Sequence, residues 1–101
     1  MSPRIEALRD AVQVMHHCKA EHAASVPVRE MFGGKAAWEG VVEVFNITGS
    51  PNAKRCHAWS YTDGKESQFV TVLEIPPVVS PQTAVRASIM AQAKRTNPNP
   101  V

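Results

Sequence analysis

Between Trp38 and Ile75 the chain carries three runs, Trp38–Ile47, Arg55–Tyr61 and Gln68–Ile75, crowded with Val, Ile, Thr, Phe, Tyr and Trp. Such residues suit the pleated, half-buried surface of a sheet. Helix-like segments stand on either side, so the chain is constrained to a sheet with helices laid on it. Asp63-Gly64 suits a type I′ turn between the last two runs, and Gly33-Gly34 suits a two-residue turn ahead of the first. The second turn adds a modest strand, Val26–Phe32, before a long one, Ala36–Ile47.

The helices announce themselves by their starts. Ser2-Pro3 and Ser80-Pro81 each place a hydroxyl that can accept an orphan N–H before a proline that has none to offer. In the first helix Ile5, Leu8, Val12 and Met15 recur at spacings of three and four, with Ala11, Cys18 and His22 flanking the stripe. That pattern carries the helix to a stop between Glu21 and Ala24, ahead of Pro27. Pro76-Pro77 closes the fourth strand, and an alanine-rich second helix runs to about Lys94 or Arg95. The expected architecture is α+β: a four-stranded antiparallel sheet flanked in sequence by an N-terminal and a C-terminal helix, both packed on one face. Residues 1–96 form a single domain and 97–101, with two prolines, a flexible tail.

Strand alternation divides the last hairpin into two faces. Cys56, Ala58, Ser60, Phe69, Thr71, Leu73 and Ile75 share one, the expected helix side. Arg55, His57, Trp59, Tyr61, Gln68, Val70 and Val72 share the other. With Asp63-Gly64 at the turn centre, His57 faces Val70 and Ala58 faces Phe69.

Function classes narrow by elimination. The 101 residues carry a net charge of +2, and two cysteines do not make a disulfide framework. No run approaches the ~20 apolar residues of a membrane span, and no long apolar segment follows a basic start. A cytoplasmic protein with no membrane partner is expected, with Cys18 and Cys56 as reduced packing residues.

Cys18, His22, Cys56 and His57 suggest a zinc site, but neighbours on a strand point to opposite faces, so Cys56 and His57 cannot both reach one ion. Gly33-Gly34-Lys35 lacks the spacing of a phosphate loop. No nucleophile or acid–base signature emerges, which favours binding over catalysis and implies no cofactor and no metal. A small enzyme or ligand-binding protein with a pocket between sheet and helices is the alternative.

Arg55, His57, Trp59 and Tyr61 are the candidate binding residues. Their rings could stack on RNA, single-stranded DNA or an aromatic ligand, although few cations accompany them and Glu66 and Glu74 stand near. Val70 and Val72 are the candidate interface, because a fourth strand apolar on both faces at a sheet edge invites pairing. A homodimer formed through the sheet is the favoured assembly, with an unknown small molecule or protein as further partner. A fourth strand placed inside a non-sequential sheet would remove that argument.

Overall fold

The computed structural model describes residues 2–32, 34–63 and 65–96. The elements follow in the order α1 (Pro3–His16), β1 (Lys19–Phe32), β2 (Lys35–Thr48), β3 (Arg55–Asp63), β4 (Glu66–Leu73) and α2 (Pro81–Thr96). The strands form one antiparallel sheet in the sequential order β1-β2-β3-β4, so β1 and β4 are its edges. The α+β class is as the sequence reads, and the fourth strand lies at an edge, not inside. The expected tail, residues 97–101, falls outside the described residues.

Both helix starts follow their caps. Ser2 Oγ accepts from the Ile5 amide at 3.2 Å, and Ser80 Oγ accepts from the Thr83 amide at 3.2 Å. The first helix ends earlier than its apolar spacing implies. His17 adopts the left-handed conformation, φ 51°, and its amide bonds Gln13 O. The Gln13 side chain then accepts from the Ala20 amide at 3.0 Å and ties the returning strand to the helix. Cys18 therefore lies in the turn after α1 and His22 on β1, where their spacing to Met15 has no helical meaning.

The placement of the helices is a correction to the sequence reading. α1 packs Leu8 and Val12 on the face formed by Phe45, Ile47, Cys56 and Ala58. α2 packs Ala84 and Val85 on the opposite face, against Val28, Val42 and Trp59. The sheet is thus the middle layer of three. The physical reason lies in β2, whose central residues Val42–Phe45 are buried in succession. A strand apolar on both faces needs a cover on each.

The β3–β4 register differs from the expected one by two residues: Asp63 faces Glu66, Trp59 faces Val70 and His57 faces Val72. A two-residue slip preserves which side chains share a face. The division into two faces therefore holds although the pairing does not.

Pairing of β2 with β3 is short, running only from Glu43–Asn46 to Arg55–Ala58. Beyond it the two hairpins diverge.

Candidate functional site

β4 is the barer of the two sheet edges. The other edge, β1, carries Lys19, Glu21, Arg29, Glu30 and Pro27, and its pairing with β2 breaks step between His22 and Ala24. Charges, proline and bulges are the usual guards of an edge. Within β4 only Glu66 is charged, and its pairing with β3 is unbroken.

The hydrogen-bond phase of β4 follows from one contact. The Glu74 amide bonds Arg55 O at 2.9 Å, which makes that opposed pair hydrogen-bonded. Such pairs recur at every second position of an antiparallel ladder. Val72, Val70, Gln68 and Glu66 therefore turn their backbone groups toward β3. Ser67, Phe69 and Thr71 turn theirs to the open side.

A groove of about 510 Å³ follows this edge. Met15 of α1 flanks it on one side and Ala87, Ser88 and Ala91 of α2 on the other, with Tyr61, Phe69 and Val70–Val72 between them. Phe69 is 43% exposed and Met15 58%. His16 Nε2 lies 2.8 Å from Thr71 Oγ1 and holds the end of α1 over the strand.

The sequence-derived binding residues do not form one open face. His57 and Trp59 are buried, at 1% and 3% exposure, while Arg55 and Tyr61 reach solvent. Trp59 belongs to the α2 core, where Val70 and Val72 are half-buried neighbours. Nucleic-acid bases could stack on Trp59 only if α2 moved away.

His57 instead belongs to a polar centre. Its Nε2 meets Glu74 Oε1 at 3.0 Å, and its Nδ1 is the one sealed side-chain polar atom without a partner among the described residues. Burial lowers the His57 pKa, Glu74 opposes that shift, and the nearby Arg55 charge adds to it. The net direction is down, so the imidazole is neutral near pH 7, with its proton on the nitrogen facing Glu74.

A second polar centre was not visible in the sequence. Glu43, 1% exposed, accepts from Arg4 at 2.5 Å, Ser25 at 2.5 Å and His22 at 2.8 Å. His22 and Ser25 are three apart on a strand, a spacing that points them to opposite faces unless the register changes. The irregularity between His22 and Ala24 changes it, and both reach the same carboxylate. Burial pushes the Glu43 pKa up, but the bonds from Ser25, Arg4 and His22 outweigh it and leave the carboxyl below its usual range.

Glu43 is fully served by its donors, so this centre reads as a clamp between α1, β1 and β2. A third contact clamps α2: Arg86 Nε donates to Glu30 Oε1 at 2.8 Å, and Gln82 bonds the same carboxylate.

Cys56 is buried, and burial pushes its thiol up to about 12. Cys18 is half-buried against the same α1-face core, and its thiol is also pushed up by burial. Neither is primed as a nucleophile. Among the described residues no three His, Cys, Asp or Glu side chains converge on a point that could hold a metal ion. Among the described residues no helix is long and apolar enough to cross a membrane.

No protein-family model matches the chain, and no curated protein or solved structure matches it.

Proposed function

We propose that the protein acts by self-association, adding the β4 edge of a second copy to its own in a two-fold homodimer, with no chemistry of its own. The observation that carries this reading is the row of outward backbone groups on Ser67, Phe69 and Thr71, set in a groove with apolar walls. Main-chain bonds supply affinity in strand addition, and the flanking side chains supply selectivity. A two-fold axis makes one strand the complement of itself.

Charge selects a register. An axis through Val70 would set Glu66 opposite Glu74 of the copy, and like charges directly opposed are destabilising. An axis through Phe69 sets the two Phe69 rings side by side and pairs Ser67 with Thr71 of the copy. It also places Glu66 against Val72. Of these two registers the charges favour the Phe69 one.

The decisive variant is Ser67→Pro, because Ser67 is exposed and its amide faces away from β3. Proline is tolerated on an edge strand but cannot donate to an added one. Light scattering at micromolar concentration should give a dimer for the wild type and for Ser67→Ala, and a folded monomer for Ser67→Pro. A monomeric mass for the wild type removes the reading. Val70→Lys is a poorer probe, since Val70 also packs against the α2 core.

A further inference from the structure

Where β2 and β3 part company, a cleft of about 140 Å³ opens, lined by Trp38, Trp59, Tyr61, Val70, Val85, Ser88 and Ile89. Trp38 comes from the diverging arm of β2, Trp59 and Tyr61 from β3, and Val85, Ser88 and Ile89 from α2. The cleft exists because the ladder stops at Ala58: Val42 and Trp59 are next in line, and neither is paired across the gap.

Its aromatic wall is held in place. The rings of Trp38 and Trp59 lie 5.7 Å apart at 60°. The Trp38 indole lies over Gly40, where a Cβ would come within 2.9 Å of the ring. Only glycine at position 40 lets the indole lie there unshifted.

The polar groups around the cleft are left over after folding. Trp59 is 3% exposed, yet its indole N–H donates to no atom among the described residues, and its nitrogen is not among the sealed polar atoms. The Ser88 hydroxyl likewise makes no hydrogen bond among the described residues. An indole N–H normally finds a partner when its ring is buried. Among the described residues no carboxylate lines the cleft, so a cation would find ring faces there but no counter-charge.

We propose that this cleft binds a small monocyclic aromatic molecule carrying one hydroxyl, a phenol in its simplest form. The aromatic and aliphatic walls receive the ring. The Trp59 N–H and the Ser88 hydroxyl receive the oxygen, one as donor and the other as donor or acceptor. Size agrees, since an apolar cavity of about 150 Å³ accommodates benzene. Tyr61, Val70 and Ser88 line both this cleft and the groove along β4, so the site adjoins the proposed dimer seam.

Phenol and benzene are titrated separately into isotope-labelled protein and followed by NMR. Phenol should saturate in the millimolar range or below, moving the indole signals of Trp38 and Trp59 and the amide of Ser88. Ser88→Ala should weaken phenol about fivefold, the value of one ordinary hydrogen bond, and leave benzene unchanged. Ser88→Met, which fills the cleft from α2, should abolish both with an unchanged circular dichroism spectrum. The proposal is overturned by an absence of saturable shifts in the wild type, by phenol binding that survives Ser88→Met, or by a Ser88→Ala loss equal for the two probes.

Discussion

The two faces of the sheet are covered to different standards. Under α1, Leu8, Val12, Phe45, Cys56 and Ala58 are all at zero exposure, and Glu43 pins the helix through Arg4. Under α2 the walls are larger and more polar: among the described residues neither the Trp59 N–H nor His57 Nδ1 has a hydrogen-bond partner, and a cleft stands open beside Val85. One side is a filled core, and the other is a core with room in it. The contrast follows from the sheet, which is continuous beneath α1 and parted at its centre beneath α2. Close packing supports stability, whereas space with unsatisfied polar groups is where a protein can hold something else.

The largest effect that sharpens this contrast is on the α1 side. Phe45→Ala should cost about 3–5 kcal/mol in urea unfolding, because a fully buried ring would leave a cavity its neighbours cannot fill. A loss under about 1 kcal/mol would mean that this face is not the filled one.

A matched pair probes the comparison more closely. Val12 and Val85 are both buried valines on helices, one against each face. Val12→Ala should cost about 2 kcal/mol, the transfer value of two methylenes with some cavity penalty. Val85→Ala should cost nearer 1 kcal/mol, because Val85 already borders open space and surrenders fewer close contacts. Equal losses would break the contrast.

The smallest effect is a pH dependence. His57 has its folded pKa depressed below 6.5, so at pH values below 6.5 the unfolded chain binds the proton more readily than the folded one. Stability is therefore full above pH 6.5 and declines as pH falls toward the folded value, by no more than about 1.4 kcal/mol per pH unit for one group. His16, lowered by burial and by His17, acts in the same direction from the α1 side. Unfolding measured at pH 7 and pH 5 should show a decline that His57→Gln reduces more than His16→Gln does, since His57 is the deeper ring. The reverse order would place the pH sensitivity under α1.

Much of the fold was legible because its signals are local. Ser2-Pro3 and Ser80-Pro81 marked both helix starts, and the glycine turns marked both hairpins. The face assignments survived a register error because strand parity is insensitive to a slip of two.

What the sequence hid depended on single backbone events. Met15, Cys18 and His22 continue a helical spacing, yet the left-handed turn at His17 ends the helix among them. The irregularity between His22 and Ala24 brings His22 and Ser25 together on Glu43, and no spacing rule foresees it. The row Arg55, His57, Trp59, Tyr61 looked half-polar and therefore open, but His57 is buried and its Nε2 is met internally by Glu74. Trp59 stood out in the sequence as a candidate for binding. Its partner Trp38, on another strand, could be recognised only once the parting of the hairpins was known.

The short seam between β2 and β3 also bears on the order in which the chain can assemble. Each hairpin closes on residues adjacent in sequence, an event of microseconds that needs little loop entropy. The Arg86–Glu30 clamp joins residues 56 positions apart, and the helix that carries Arg86 is the last element of the chain. Contacts of long sequence separation are the slow ones to form. The topology therefore makes the hairpins the quick local units and the closure of α2 the late step, so the aromatic cleft comes into being only as the last helix arrives.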